Sequence, residues 1–175
     1  MTHDVFISYS TDDQKIVEGL SAFLEQNGIR CFVAYRDIPK GVDWAEAITT
    51  AIENCRLMVV VFSEHFNRSK QVDREITLCI EESKPILTFR VQNAAFTGTK
   101  KYYLQNLNWI DAFPNPEKCF GKLCDNILQF IPEIRLKKEK EEEKKERINY
   151  QRETKPTEYK KQTISACYKL VFTII

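Results

Sequence analysis

The histidine, cysteine and acidic residues of this sequence form no pattern typical of a metal site. The chain holds two histidines, of which His3 lies in a terminal segment and His65 falls in a loop. No set of His, Cys, Asp and Glu residues has the spacing of a metal site, and no local pattern suggests a Ser-His-Asp arrangement. We therefore predict no metal centre.

The apolar neighbours of Glu75 indicate where this residue lies on its predicted helix. Val72 precedes it by three residues and Ile76 follows it, and helical spacing turns both of them towards a sheet. Glu75 is then expected near the boundary of this buried face, early in its helix and close to the loops above the sheet. A carboxylate in the first turns of a helix is also stabilised by the helix macrodipole.

A second acidic pattern argues against one whole class of protein. Asp12 and Asp13 follow the first strand and mimic the acidic pair of a phospho-acceptor receiver domain. That chemistry also needs an acceptor aspartate at the end of the third strand, but the third strand runs Val61-Phe62-Ser63. Because the acceptor is absent, we reject the receiver interpretation.

These side chains belong to an alternating series of strands and helices. Short runs of β-branched and aromatic residues predict strands, and apolar residues at helical spacing predict helices. The predicted strands are 5–9, 31–33, 57–62, 85–89 and a weak one at 109–110. The first predicted helix begins near residues 11–13 and ends at 27–28. The other predicted helices cover about 43–54, 69–83 and 116–130.

This alternation predicts an α/β protein of flavodoxin-like, three-layer fold, with a five-stranded parallel sheet and helices on both faces. Ligands in such folds bind outside the carboxyl ends of the strands, so the loops after Tyr9, Val33, Phe62 and Phe89 are the ones to examine. The chain has five glycines and no glycine-rich phosphate loop. Binding of a dinucleotide through such a loop is therefore not expected.

The bulk composition limits the compartment and the partners. A formal net charge of +1 predicts no binding to nucleic acid or to an anionic membrane. Cys31, Cys55 and Cys79 fall in apolar stretches without CxxC spacing, so we interpret them as buried thiols of a reducing, cytoplasmic compartment. Neither a signal peptide nor an apolar stretch of about 20 residues is recognised.

The composition changes after Pro132, and we place a domain at residues 1–132 and an extension at 133–175. Residues 137–147 are almost wholly charged with both signs mixed, which is typical of a solvated helix or a flexible linker. Residues 168–175 are apolar but too short to cross a bilayer.

Seven segments of the sequence carry a resemblance to one known family when they are taken in order. The segments are Asp4–Ser10, Gly28–Val33, Arg36–Trp44, Ala47–Ile52, Val59–Ser63 with Ser69–Ile76, Lys84–Arg90 and Trp109–Ala112. They resemble the bacterial TIR (Toll/interleukin-1 receptor) domain family, namely its first strand, its second strand, the loop and helix that follow, the third strand with the helix that bears the catalytic acid, and two late segments. The resemblance covers about residues 3–131.

The resemblance implies an enzyme that cleaves the nicotinamide–ribose bond of NAD⁺, giving ADP-ribose or a cyclic isomer. Glu75 is then the catalytic carboxylate, which binds the ribose and stabilises the positive charge that develops on it. Family members often have tryptophan four residues earlier, whereas this sequence has Gln71, which can hydrogen-bond the substrate but cannot stack on it. NAD⁺ is expected as substrate, and no cofactor is expected.

The other substrate-binding residues are also assigned by resemblance. Tyr9 and Ser10, at the exit of the first strand, are expected to contact the nucleotide. Trp44 is expected to close over the nicotinamide end. Arg36 and Asp37 lie in the polar loop after the second strand, where Arg36 can contact phosphate.

Members of the family that act only by assembly provide the alternative. The loop at about 35–43 is the family's main assembly element, so homotypic TIR–TIR self-association is expected whether or not the chain is catalytic. The resemblance further implies bacterial antiphage defence signalling, with a downstream effector or a linked sensor module as partner. A pure adaptor needs no acid at Glu75, and its presence favours the enzyme.

Overall fold

The computed structural model of the protein describes residues 3–154. These residues form five strands and eight α-helices, with short 3-10 turns at Thr11–Asp13 and Pro116–Cys119. The strands are β1 (Val5–Ser8), β2 (Cys31–Phe32), β3 (Leu57–Phe62), β4 (Ile86–Arg90) and β5 (Trp109–Asp111). The helices are α1 (Gln14–Gln26), α2 (Ala34–Asp37), α3 (Trp44–Asn54), α4 (Glu64–Arg68), α5 (Lys70–Glu81), α6 (Gly98–Leu104), α7 (Phe120–Phe130) and α8 (Pro132–Thr154).

All five strands join one parallel sheet in the order β2-β1-β3-β4-β5. This order is that of the flavodoxin-like fold, and it confirms the fold predicted from the alternation of elements. The chain reverses its direction of travel across the sheet between β2 and β3. The carboxyl ends of β1 and its neighbours therefore border a crevice in which such folds bind ligands.

Two apolar layers cover the two faces of the sheet. Alternate residues of β1 and β3 pack against α1 and α7 on one face, and the intervening residues pack against α3 and α5 on the other. All six residues of β3 are buried, as its unbroken apolar run predicts for a central strand. Burial of each such side chain stabilises the fold by about 2 kcal/mol.

The segment after β2 differs from the irregular loop expected there. Its first residues form the helical turn α2, because the Asp37 carboxylate accepts a hydrogen bond from the Val33 amide at 2.7 Å. Gly41 then takes a φ of 89°, a left-handed conformation that glycine adopts without steric cost. Asp43 ends the loop by capping α3, with its side chain accepting from the amide of Glu46.

Besides α2, two further helices have no counterpart in the sequence prediction. α4 has five residues and α6 has seven, which is too short for a stripe of apolar residues to emerge. α6 fills the stretch between β4 and β5 in which no element was expected. It brings the buried Lys100 to the start of α5.

Residues from 135 onwards form a unit separate from the one that contains the sheet. In the described part of this unit, α8 is charged on all sides and carries an Arg135–Glu139 ion pair at i,i+4. The apolar segment 168–175 lies outside the described residues. Among the helices described, none combines the length and apolar character needed to cross a membrane.

Candidate active site

Glu75 lies on the buried face of α5, with 6% of its surface exposed. The sequence placed it at the boundary of that face, but the structure turns it inwards beside Val72 and Ile76. Two side chains hold the carboxylate. The Ser8 hydroxyl donates to Glu75 Oε2 at 2.6 Å, and the Gln71 amide donates to Oε1 at 3.2 Å.

Burial controls the ionisation of this carboxyl group. Loss of solvent raises the pKa of Glu75 from its ordinary 4.5 to about 7, while the hydrogen bonds from Ser8 and Gln71 act in the opposite direction. Both protonation states are therefore populated near neutral pH. A titratable group poised in this range inside a cleft is typical of a catalytic acid or base.

The cavity in front of Glu75 brings together four of the predicted site residues. It has a volume of about 130 Å³ and lies at the carboxyl ends of β1 and β2, where the fold predicts a ligand. A second cavity of about 270 Å³ runs between α3 and α5 and shares Trp44, Gln71 and Glu75 with the first. The first is lined by Ile7, Tyr9, Thr11, Ala34, Tyr35, Trp44, Ser69, Gln71 and Glu75.

Two aromatic side chains flank the carboxylate. Tyr9 is half-buried, and its ring meets that of Tyr35 edge-on at 6.5 Å between centroids. Desolvation raises the pKa of Tyr9 to about 12, so its phenol stays neutral and can donate a hydrogen bond. Trp44 is the first residue of α3 and keeps 47% of its surface exposed, which leaves indole surface for stacking on a flat ligand.

Three other predicted residues do not line either cavity. Arg36 donates to both carboxylate oxygens of Glu25, to Asp37 and to the Cys31 carbonyl. Asp37 closes the α2 turn, and the Ser10 hydroxyl contacts Asp12 at 3.4 Å. These side chains therefore hold the loops next to the cavities, and their contacts with substrate stay a prediction.

The sequence analysis missed Ser8, which touches the candidate catalytic group. Ser8 pairs with Val60 in the sheet and lies on the same side of β1 as Phe6, the side that α5 covers. Period-two alternation along β1 therefore contains the signal. It identifies Ser8 as a polar residue facing the helix of Glu75, 67 residues further along the chain.

Lys100 is a second residue that the sequence analysis missed. Its ammonium group is buried and donates to the carbonyls of Asn67 at 3.0 Å and Ser69 at 2.8 Å. It also pairs with Asp73 at 2.9 Å. These contacts join the end of α4 to the first turn of α5, so Lys100 fixes the start of the helix that carries Gln71 and Glu75.

No group of three or more His, Cys, Asp or Glu side chains within residues 3–154 is arranged to hold a metal ion. Four of the five cysteines of this range are buried. The chemistry of the site therefore has to be argued from Glu75, its hydrogen-bond donors and the aromatic walls.

The doubly wound sheet with helices on both faces defines an α/β domain of flavodoxin-like class, and a cavity lies at the carboxyl edge of this sheet. The sequence profile of the TIR domain matches residues 5–124, and the chain belongs to that family. This confirms the family that the seven segments indicated. No curated protein sequence is significantly similar to the chain.

Solved structures agree with this membership. The TIR domain of the Toll-related receptor TRR-2 from Hydra magnipapillata is 28% identical, with a TM-score of 0.62 over 72% of this chain and 98% of that one. A TIR-STING receptor from C. gigas, solved with 2′,3′-cGAMP, is 22% identical, with a TM-score of 0.53 over 74% of this chain and 39% of that one. The second likeness concerns the fold alone.

Proposed function

We propose that this TIR domain cleaves the bond between nicotinamide and ribose in NAD⁺, with Glu75 as the catalytic carboxylate. The observation that carries the proposal is the buried carboxylate at the junction of the two cavities, held by Ser8 and Gln71. The aromatic side chains that line the first cavity suit a substrate with two flat bases. NAD⁺ is the substrate, and no cofactor or metal takes part.

The chemistry requires stabilisation of positive charge on a sugar ring. When the N-glycosidic bond breaks, its electron pair leaves with nicotinamide, and the ribose C1′ becomes oxocarbenium-like. Ionised Glu75 opposes that charge inside a site of low dielectric, where the attraction is stronger than in water. Water then adds to C1′ and releases a proton, giving ADP-ribose; attack by an adenine nitrogen of the same molecule gives a cyclic isomer instead.

The substrate-binding roles follow the cavity walls. Tyr9 and Trp44 present aromatic surface, and the Gln71 amide reaches both the Glu75 carboxylate and the ligand space. Arg36 and Asp37 hold the α2 turn that carries one wall. Their contact with the phosphates, like that of Ser10 with the nucleotide, stays a prediction that rests on resemblance.

Turnover of NAD⁺ by concentrated purified protein tests the proposal directly. Replacing Glu75 with alanine removes the charge-stabilising group, and we expect the rate to fall at least about a hundredfold. Chromatographic separation of products distinguishes hydrolysis from cyclisation. Glu82→Ala is the matched control, because Glu82 is an exposed glutamate at the end of the same helix and should keep wild-type turnover.

Two outcomes of that assay contradict the enzyme. One is a wild-type protein that consumes no NAD⁺ even after it is concentrated into assemblies. The other is a Glu75→Ala variant that turns NAD⁺ over as fast as the wild type does.

Self-association without catalysis is the second candidate function. The segment from α2 to the start of α3 exposes three large apolar side chains, Tyr35, Val42 and Trp44, with 40%, 50% and 47% of their surfaces accessible. Clustered exposed apolar side chains of this kind mark protein-interaction surfaces. Homotypic docking through this segment would also cover the mouth of the first cavity, so assembly and catalysis are compatible.

Substitutions in this segment are expected to weaken assembly. Val42→Ser and Trp44→Ala remove apolar anchors, and loss of an aromatic anchor costs an interface about 2 kcal/mol, a weakening of roughly thirtyfold. Light scattering across a concentration series measures the change. Tyr102→Ala is the control, since Tyr102 is an exposed aromatic on α6. Equal weakening by the control variant would contradict docking through this segment.

For the biological role, we propose bacterial antiphage defence signalling in the cytoplasm. NAD⁺ depletion would stop phage replication directly, whereas a cyclic product would activate a downstream effector. The charged helix α8 suits a connection to a linked sensor module. Measurement of cellular NAD⁺ during phage challenge, with wild type and Glu75→Ala compared, tests this role.

A further inference from the structure

The two oxygens of Glu75 are held in different ways. Oε2 accepts the short bond from Ser8, a residue with 1% of its surface exposed on the central strand β1. Oε1 accepts the longer bond from Gln71, an exposed side chain of the same helix. One oxygen is thus held by a buried residue of the sheet, while the other is held by a longer bond from an exposed donor that also lines both cavities.

The place of Ser8 in the sheet restricts the direction in which its hydroxyl can point. β1 is paired on both sides, with β2 and with β3, so its backbone cannot shift without breaking the sheet. The side chain faces the layer between the sheet and α5, where its neighbours on adjacent positions are apolar. A hydroxyl in such surroundings needs a partner, and the Glu75 carboxylate is the acceptor within reach.

We propose that Ser8 is a positioning residue: its hydrogen bond holds Oε2 of Glu75 and favours the charged form of the group, so that Oε1, held only by the longer bond from Gln71, is the oxygen for the substrate. This inference rests on the proposed NAD⁺ cleavage for its catalytic consequence. A hydrogen bond donated to a carboxylate favours the charged form, and a buried one does so more strongly than an exposed one.

In the described part of the chain, no other charged or titratable group that lines the cavities around Glu75 is placed to set its ionisation as the neutral donors Ser8 and Gln71 are. Tyr9 at the end of β1 and Tyr35 on α2 both have a raised pKa and remain neutral at physiological pH. Arg74, on α5 itself, lines the second cavity but is exposed to solvent, which screens its charge. The α3 residues that line the cavities, Trp44, Ala45, Ile48 and Thr49, have no titratable group.

The titration of Glu75 can be followed without any enzymatic activity. In protein labelled with ¹³C-glutamate, the carboxyl signal missing from Glu75→Gln identifies Glu75, and its midpoint is compared between wild type and Ser8→Ala. Loss of one hydrogen bond to a charged group should raise the midpoint by about one pH unit. Ser8→Cys, which keeps a weaker donor, should lie between the two.

Thr88→Val is the matched control. Thr88 is a buried residue on β4, and its hydroxyl has no hydrogen-bond partner among the described residues. Its replacement by an isosteric side chain should leave the Glu75 midpoint where it is. In the NAD⁺ assay, Ser8→Ala should shift the acidic limb of the rate profile upwards by the same unit, so that its rate is about tenfold lower at pH 6 and recovers at higher pH.

The outcomes separate this inference from the proposed function. An unchanged Glu75 midpoint in folded Ser8→Ala overturns it, as does a rate reduced equally at every pH, which indicates a structural role only. If Ser8→Ala does not fold, the Ser8→Cys midpoint decides in the same way. A shifted midpoint in a protein that never cleaves NAD⁺ removes the proposed reaction and leaves Ser8 as the residue that sets Glu75 ionisation.

Discussion

A Glu75→Gln variant is expected to be more stable than the wild type at pH 8, although it should not cleave NAD⁺. The wild-type fold keeps a carboxylate almost wholly buried, and burial raises the pKa of Glu75 from 4.5 to about 7. Glutamine has the same shape, carries no charge and can still accept the hydrogen bond from Ser8. The substitution therefore removes a desolvation cost while it retains the packing.

The pH dependence follows from the direction of that shift. The folded state binds the Glu75 proton more tightly than the unfolded state does, so this group costs nothing below about pH 4.5. The cost grows as pH rises between the two pKa values and is complete above about pH 7. A difference of this size corresponds to about 3 kcal/mol of unfolding free energy at pH 8.

Urea denaturation of both proteins between pH 5 and pH 8 measures the effect. The wild type should lose stability relative to Glu75→Gln as pH rises, with the two converging at the acidic end. Glu82→Gln serves as control because Glu82 is exposed. A difference between wild type and Glu75→Gln that stays constant over this range would show that Glu75 is not buried as a charge.

Replacing Lys100 with methionine is expected to cause the largest loss of stability. The ammonium group satisfies two backbone carbonyls and pairs with Asp73 within the fold, and methionine cannot donate to any of them. Asp73 is partly exposed, so the main cost is that of two backbone carbonyls that lose their donor, at about 1–3 kcal/mol for each buried unsatisfied group. Since single domains have total stabilities of about 5–15 kcal/mol, much of the folding free energy would be lost.

The neighbouring lysine provides a close control. Lys101 lies on the same helix and is exposed, so Lys101→Met should change the urea midpoint little. Hydrogen exchange should further localise the Lys100→Met effect to the start of α5. Equal effects of the two substitutions would mean that the contacts with Asn67 and Ser69 do not hold the junction of α4 and α5.

Local sequence patterns were sufficient for the architecture. The alternation of short apolar strands with amphipathic helices predicted the parallel sheet, and the unbroken apolar run of β3 is typical of a strand that is buried on both faces. Glu75 was identified as the candidate carboxylate by the resemblance to the TIR family, whereas helical spacing around Val72 and Ile76 gave only its place near the buried face. Such patterns work because they reflect which face of an element is buried, a property that each element carries in its own residues.

Contacts between distant segments were beyond those patterns. The Ser8–Glu75 bond joins a strand to a helix 67 residues later, and its geometry depends on how the helix is rotated on the sheet. A rotation of a few tens of degrees separates a boundary position from a buried one. Arg36 was likewise expected to be available for phosphate, because no local pattern indicates that its guanidinium group donates to Glu25 on α1.

The lengths of the outer strands have a consequence for how copies of this domain can meet. At the two borders of the sheet lie β2 with two residues and β5 with three. Borders this short offer few free amide and carbonyl groups to a neighbouring chain, and this disfavours the strand-by-strand growth seen in amyloid. If copies of the domain polymerise, we therefore expect them to dock through their side chains. Such polymers dissociate on dilution, so a signal that depended on them would be reversible.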